Sequence, residues 1–532
     1  MADYGKAAFD VSLKNNDKIN SLSKGTINVF DSKYSVKGDG SDDTQAIQNA
    51  MNDANGKIIK FPKPPNYYKI TNRILIPSDV TIIIEGYSKI KFEGSVANNV
   101  FYGTEVDNFA LIGGIIDGGN AGNTLTQNVG TKSRGAGVFI LNSTRKGRVY
   151  VSETVFQNTY TAGASFVGFK SCKLIDTDVS NAGEGHIFTV YAGESFVVKN
   201  VENVVITGLN ATDCTDGLGI LLCDKVVING FTFERCSIGV SPSTCKSVSI
   251  TNGVIKNPVS RGIDCVSWVN LDAELTYGAD YLYIDNVNIE CGPVVYNGTT
   301  YIADGIAVDS TKYAKVKAIV TGAKKGFITN RNYLGGTVLP RKSGTFEIDV
   351  IVQECTQDGI FVSSVDVVKL KGSSINNGKE QVSTYSGVKL VADNAESSMV
   401  HVEVDITSID TQTTKTQKHG LDASGLALSN IARLIVKGTY RGNTVSPLNI
   451  NYAFEGNLSI NSINTDGTEL PIQWEKGKRS ASVDPNNDRF LVSTGDLQVV
   501  QANKGVLLKA SDNSVWRLTV STTGTPVFTK IS

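Results

Sequence analysis

The chain has 532 residues, 51 of them basic and 52 acidic, for a formal charge of −1. So even a balance argues against a surface built for a polyanion, and nucleic acid is not expected as a partner; with no stretch of about 20 apolar residues, no membrane span is expected either. Glycine outnumbers proline 52 to 12 and there are 3 methionines, which suits a turn-rich all-β chain that grows lengthwise instead of around one compact core.

Residues 1–26 are polar and read as a tail or attachment segment, and Met1 to Asp10 lack the basic head and apolar stretch of a secretion signal. Asn28 to Asp31 reads as a strand. Asp42 and Asp43 stand where they would cap a helix over Thr44 to Asp53, whose apolar stripe is Ala46, Ile47 and Ala50 and which Gly56 ends. Residues 57–62, 67–70 and 75–86 follow as strands. A helix in this position covers the open end of a stacked β structure. Capping accounts for the aspartates at 39, 42 and 43 without calcium, and with no phosphate loop and no zinc-spaced Cys/His cluster, no cofactor is expected.

Between Asn203 and Ser267 the sequence copies itself. Val204, Val226 and Val248 stand 22 residues apart, as do Ile206, Ile228 and Ile250, and Cys214/Cys236, Cys223/Cys245 and Gly217/Gly239 keep the same step. A period this short, rich in Val, Ile, Thr, Gly and Asn, means one turn of strands stacked on the next, about 4.8 Å apart. The expected fold is therefore all-β: a parallel β-helix with an N-terminal capping helix. A corner signature of one residue, Gly and a large apolar side chain recurs at Asp216-Gly217-Leu218, Arg261-Gly262-Ile263, Asp304-Gly305-Ile306, Lys325-Gly326-Phe327, Asp358-Gly359-Ile360, Ser386-Gly387-Val388 and His419-Gly420-Leu421. Residues 119–134, 271–280 and 296–301 break the spacing and read as loops beside a binding face. The eight cysteines have no CxxC pair and read as buried small hydrophobes.

"VKGDGSDDTQAIQNAM", "IIKFPKPPNYYKI", "LIPSDVTIIIEG" and "GGIIDGGN" resemble the N-terminal signature of the pectate-lyase-like β-helix superfamily, which includes polygalacturonase-type enzymes and many bacteriophage tailspikes. After residue 484 the segment ending in "VWRLTV" and "PVFTKIS" resembles the short C-terminal segments of phage tail proteins; it has too little core to stand alone, so trimerisation is expected there. The chain divides into four regions: an attachment segment (1–26), a cap with the first coils (27–120), the β-helix body (121–475) and a small C-terminal β module (476–532); the resemblance implies that the β-helix is right-handed and single-stranded. It further implies a homotrimer in a phage virion, joined to other tail proteins and acting on a polysaccharide of the host bacterial surface. A non-catalytic receptor-binding fibre and a free pectinase-like enzyme are the alternatives.

Cleaving a glycosidic bond by acid–base chemistry requires two carboxylates at a set distance, which neighbouring coils supply. The densest polar constellation on successive turns gives Glu184, Asp213 and Asp216 as candidate catalytic residues. His186, Tyr191, Arg235, Arg261 and Asp264 are the candidate substrate contacts, an arginine beside carboxylates being suited to an acidic sugar or to holding one aspartate ionised. The recurrence of Asp-Gly at 216, 304 and 358 gives Asp216 a competing role as a corner turn, and His186 a competing role as a packed histidine. Polygalacturonases carry Asn-Thr-Asp, Asp-Asp, Gly-His-Gly and Arg-Ile-Lys in that order; here "GHI" precedes the aspartates, "CTDG" lacks the Asn and "SRGI" lacks the lysine, which argues against that family's own mechanism. Lyase chemistry would draw on Tyr160, Lys173, Tyr191 or Arg261.

Overall fold

The computed structural model describes residues 25–95, 98–119, 135–183, 196–265, 278–296, 299–329, 343–391, 399–426 and 433–451, together with short strands between and beyond them up to residue 530. Val204 pairs with Val226 and Val226 with Val248, and Ile206, Ile228 and Ile250 do the same, all in parallel. The 22-residue period is thus the rise of one coil. The molecule is a parallel β-helix.

Each coil of the body holds a long strand and a short one. The long strands, among them Asn203–Thr212, Lys225–Glu234, Cys245–Lys256 and Ala279–Glu290, bend midway at Gly208, Gly230, Asn252 and Asn286, whose φ values of 68°, 64°, 54° and 53° lie in the left-handed region. That bend divides each into a first and a second face. The short strands, including Asp216–Leu221, Ile238–Ser243, Arg261–Cys265 and Asp304–Val308, make the third face. Alternation along each strand turns every second side chain inward, and the inward stack Val204, Val226, Val248, Leu282, Ala314, Phe346, Val368, Val402 and Leu434 is fully buried. All eight cysteines are free and buried.

The Gly of the corner signature opens each third-face strand because coils meet too closely there for any side chain. A Cβ on Gly217, Gly239 or Gly262 would lie 2.5–2.6 Å from the carbonyl oxygen of the glycine one coil on. The residue before each Gly therefore falls in one column along the helix.

One helix, α1 (Thr44–Asn52), buries Ile47, Ala50 and Met51 against the first coils. Its cap differs from expectation. Asp42 accepts the Thr44 N–H at 3.0 Å, whereas Asp43 turns inward and accepts the Lys37 and Gly38 amides at 2.9 Å each, because the preceding loop leaves those buried donors unpaired. The first strand, Thr26–Asn28, shares only Asn28 with the expected segment, because Asn28 Oδ1 accepts the Phe30 amide and starts a turn there. Ala279 and Asp280 belong to a strand and not to a loop, since the coil register resumes at Ala279 opposite Cys245. The excursion near 296–301 is an antiparallel hairpin, Val294–Tyr296 with Thr299–Tyr301. Residues 120–134, 184–195 and 266–277 lie outside the described residues. Parallel pairing continues to Ile472–Glu475, where antiparallel pairing with the following strands replaces it.

Candidate functional site

Two polar clusters edge the third face. The first sits on the corner leading into it. Asn158, Asn181, Asp213, Arg235 and Asn257 occupy successive coils there, all left-handed with φ between 50° and 56°. Asparagine tolerates that conformation best among residues with a side chain, and its amide links coils: Asn181 Nδ2 donates to Asn158 Oδ1 at 2.9 Å. In the next two coils a charged pair takes over the link. Arg235 donates from Nε and Nη2 to the two Asp213 oxygens at 2.7 and 2.9 Å and from Nη1 to Glu234 at 2.5 Å. Asp213 holds the Arg235 guanidinium more firmly protonated. Both side chains are about half exposed, at 53% and 45%, so the pair stands in water.

The second cluster lies on the third face itself. Arg261 opens its strand, and three residues on Asp264 receives the Arg261 Nη1–H at 2.5 Å. The Asp264 side chain is only 10% exposed. Burial pushes its carboxyl above the ordinary value, more strongly than Arg261 pulls it down. Asp304 faces Arg261 one coil on, and burial raises its carboxyl too, against the pull of Lys325 and Arg261. Burial opposes the charge of Arg261 itself, but Asp264, Asp309 and Asp304 outweigh it and its pKa goes up. Continuing along the column, Lys325 follows Asp304 and Asp358 follows Lys325. Asp358 is also raised by burial. In the neighbouring column, Ala307 and Ile328 succeed Asp264 and are buried, and Phe361 comes next with Lys325 Nζ 4.8 Å over its ring. On this face, buried apolar side chains thus run beside a column of carboxylates and cations. By chain order, the hairpin 294–301 leaves at the near corner of this face and the hairpin Tyr333–Leu334/Thr337–Val338 at its far corner.

Further along the column, after Ser386, comes a buried histidine, followed by Ser446. His419 Nδ1 lies 2.8 Å from Ser446 Oγ and Nε2 lies 3.4 Å from Asn449 Nδ2, and Asn449 Nδ2 donates to Asp422 at 3.0 Å. Burial lowers the His419 pKa to about 4, so the ring is neutral near pH 7.

Arg261 and Asp264 are thus brought together, and so are Asp213 and Arg235, but as separate clusters. Asp216 shares the column of Arg261 and Asp304, two coils before Arg261, with Ile238 between. Glu184, His186 and Tyr191 lie outside the described residues. Sequence reasoning passed over Asp304, Lys325 and Asp358 as corner residues. The signal that marks them is the interrupted spacing, since hairpins replace tight corners around these coils. Among the described residues no group of three His, Cys, Asp or Glu side chains is placed to share a metal ion.

No protein-family model matches the sequence, and no curated protein sequence matches it. Among solved structures, the chain is similar to a tailspike protein of E. coli bacteriophage HK620, at 11% identity over 86% of this chain and 79% of that one, with a TM-score of 0.46. It is also similar to the Family 28 exopolygalacturonase of Yersinia enterocolitica (9% identity, 73% and 79% covered, TM-score 0.32). A third is PfbA, a surface adhesin of Streptococcus pneumoniae (14%, 88% and 100%, TM-score 0.30).

Proposed function

We propose that this chain is a bacteriophage tailspike that recognises a bacterial surface polysaccharide and depolymerises it, by hydrolysis in preference to elimination, along the third face. The observation that carries the reading is the pair Asp264 and Asp304, on adjacent coils about Arg261 and both biased by burial toward the protonated form. General acid catalysis at neutral pH requires a carboxyl shifted in that direction. Asp304, the more open of the two, gives its proton to the glycosidic oxygen as the C–O bond breaks. Asp264, held by Arg261, takes a proton from the water whose oxygen bonds to the anomeric carbon. Arg261 and Lys325 contact the sugar. The N-terminal signature and the tail-like C-terminal segment support the virion setting: a homotrimer assembled through residues 476–532, attached to other tail proteins through residues 1–26.

A rival assignment keeps the carboxylates at Glu184, Asp213 and Asp216, with His186, Tyr191 and Arg235 as sugar contacts. A binding-only reading has its own observation. Asp304 accepts the Lys325 amide at 3.2 Å and Asp358 accepts the Ser386 amide at 2.7 Å, a corner role that needs no chemistry. Incubation with capsule or wall polysaccharide from candidate hosts, following reducing ends and absorbance near ~235 nm for unsaturated uronate, separates these readings. New ends without absorbance are expected, and both signals together mean a lyase. Neither signal, with binding retained, overturns the enzyme.

A further inference from the structure

The first face of the body is laced with charge. Lys315, Glu347, Lys369 and Glu403 succeed one another on adjacent coils, and so do Lys317, Asp349, Lys371, Asp405 and Lys437. Opposite signs alternate up each column, as suits a sheet face kept in water. At its lower end the pattern changes. Tyr281 and Tyr283, two residues apart on one strand, and Tyr313, opposite Tyr281 one coil on, put three aromatic rings on the same outward side. Tyr281 is 62% and Tyr283 39% exposed. The Tyr281 and Tyr313 rings meet with centroids 6.4 Å apart, tilted by 50°. The core beneath does not require them, since Leu282, Ile284 and Ala314 already fill it.

The surroundings fix what such a patch takes. Tyr283 donates its hydroxyl to Asp285 at 3.1 Å, and Asp280 pairs with Lys312 at 2.7 Å. The rim therefore carries Asp280, Asp285 and Glu347 against Lys312, Lys315 and Lys317, three of each sign, and offers no net field to an ion of either charge. The exposed aromatic area is on the order of 200 Å², against about 800 Å² on each partner of a stable protein interface. A protein covering more would have to strip water from the charge columns above. What fits is one flat, uncharged ring with apolar C–H groups on its face and hydroxyls at its edge. We propose that Tyr281, Tyr283 and Tyr313 form a stacking site for a pyranose ring of a neutral glycan, on a different face from the Asp264–Asp304 groove. Axial C–H groups lie against the electron-rich ring faces, and the carboxylates of the rim accept the sugar hydroxyls. This site stands whether or not the groove cleaves anything.

Incorporating 3-fluorotyrosine into the full chain labels all 19 tyrosines, and Tyr281→Phe, Tyr283→Phe and Tyr313→Phe assign the three resonances of this patch. Titration with the methyl glycosides of glucose, galactose and mannose should shift the Tyr281 and Tyr313 signals saturably. Tyr281→Ala with Tyr313→Ala should weaken the binding reported by Tyr283 at least tenfold, and Asp264→Asn should leave all three signals responsive. Resonances that no glycoside moves overturn the site. So does a fall in the sedimenting mass of the Tyr281→Ala/Tyr313→Ala chain, which would make the patch a contact with a second copy.

Discussion

Two arginine–aspartate pairs, one at a corner and one on the third face, show how place decides what the same chemistry does. Arg145 leaves Val138–Ser152 where its register shifts between Leu141 and Lys146, and reaches along the corner between the third and first faces. It grips both oxygens of Asp224 at 2.8 and 3.1 Å, the Leu222 carbonyl at 3.0 Å and Asn200 Oδ1 at 2.9 Å. The pair keeps a quarter or more of each side chain in water, and Arg145 pulls the Asp224 carboxyl below its ordinary value. Arg261 and Asp264 touch just as closely, yet burial wins there and the carboxyl rises. The corner pair is a clamp across coils. The third-face pair leaves a carboxyl that burial biases toward the protonated form.

The largest effects belong to activity on the third face. Asp264→Asn and Asp304→Asn should each lower the rate of polysaccharide cleavage by ~10²–10⁴-fold, the usual reach of one general acid or base. The apparent melting temperature should hold or rise. Arg145→Ala should leave the rate per folded molecule unchanged. A groove variant that cuts at the wild-type rate removes the proposed centre.

The clamp should matter to stability instead. Arg145→Ala strands Asp224 beside Lys246 alone and removes the bonds to Asn200 and Leu222, a loss of about 2 kcal/mol for hydrogen bonds to a charged group. Arg145→Lys should recover only part of it, since an ammonium cannot span the carboxylate and the carbonyl together. Denaturant midpoints, or inactivation half-lives where unfolding is irreversible, would measure both.

The two pairs should also respond oppositely to pH. Asp264 binds its proton more tightly folded than unfolded, so its contribution is most favourable below the ordinary value of 3.8 and is lost as pH rises through its higher folded value. Asp224 is depressed, so its contribution is present above 3.8 and is lost as pH falls through its lower folded value. Melting scans from pH 3 to 7 should show Asp264→Asn gaining on the wild type as pH rises. Asp224→Asn should lose ground over the same range. Curves that stay parallel would mean burial does not govern Asp264.

The fold was legible because its cause is periodic. Val204, Val226 and Val248 repeat since each fills the same inward place one coil higher, and Gly217, Gly239 and Gly262 repeat since backbone approach forbids a side chain there. The groove was half legible. Arg261 and Asp264 stood out as part of the densest polar constellation on successive turns, but Asp304 and Asp358 looked like turn residues, because their distinction is burial, and burial depends on loops inserted elsewhere. Nothing local tells Asp216 from Asp304. Asp43 failed as a cap for the same reason: spacing showed a carboxylate before a helix, but not the unpaired amides of Lys37 and Gly38 that claim it.

The smallest expected effect concerns Asp213. Its left-handed φ of 56° is one that asparagine adopts readily, and Asn158, Asn181 and Asn257 already fill equivalent corners. Asp213→Asn trades an exposed ion pair, worth about 0–1 kcal/mol, for the amide link seen between Asn158 and Asn181, so stability should change by less than about 1 kcal/mol. With chemistry on the third face, polysaccharide cleavage should continue at the wild-type rate. A hundredfold loss in a chain that still folds would instead move the reaction to the corner of the Asp213–Arg235 pair, and leave Asp264 and Arg261 as contacts for the sugar.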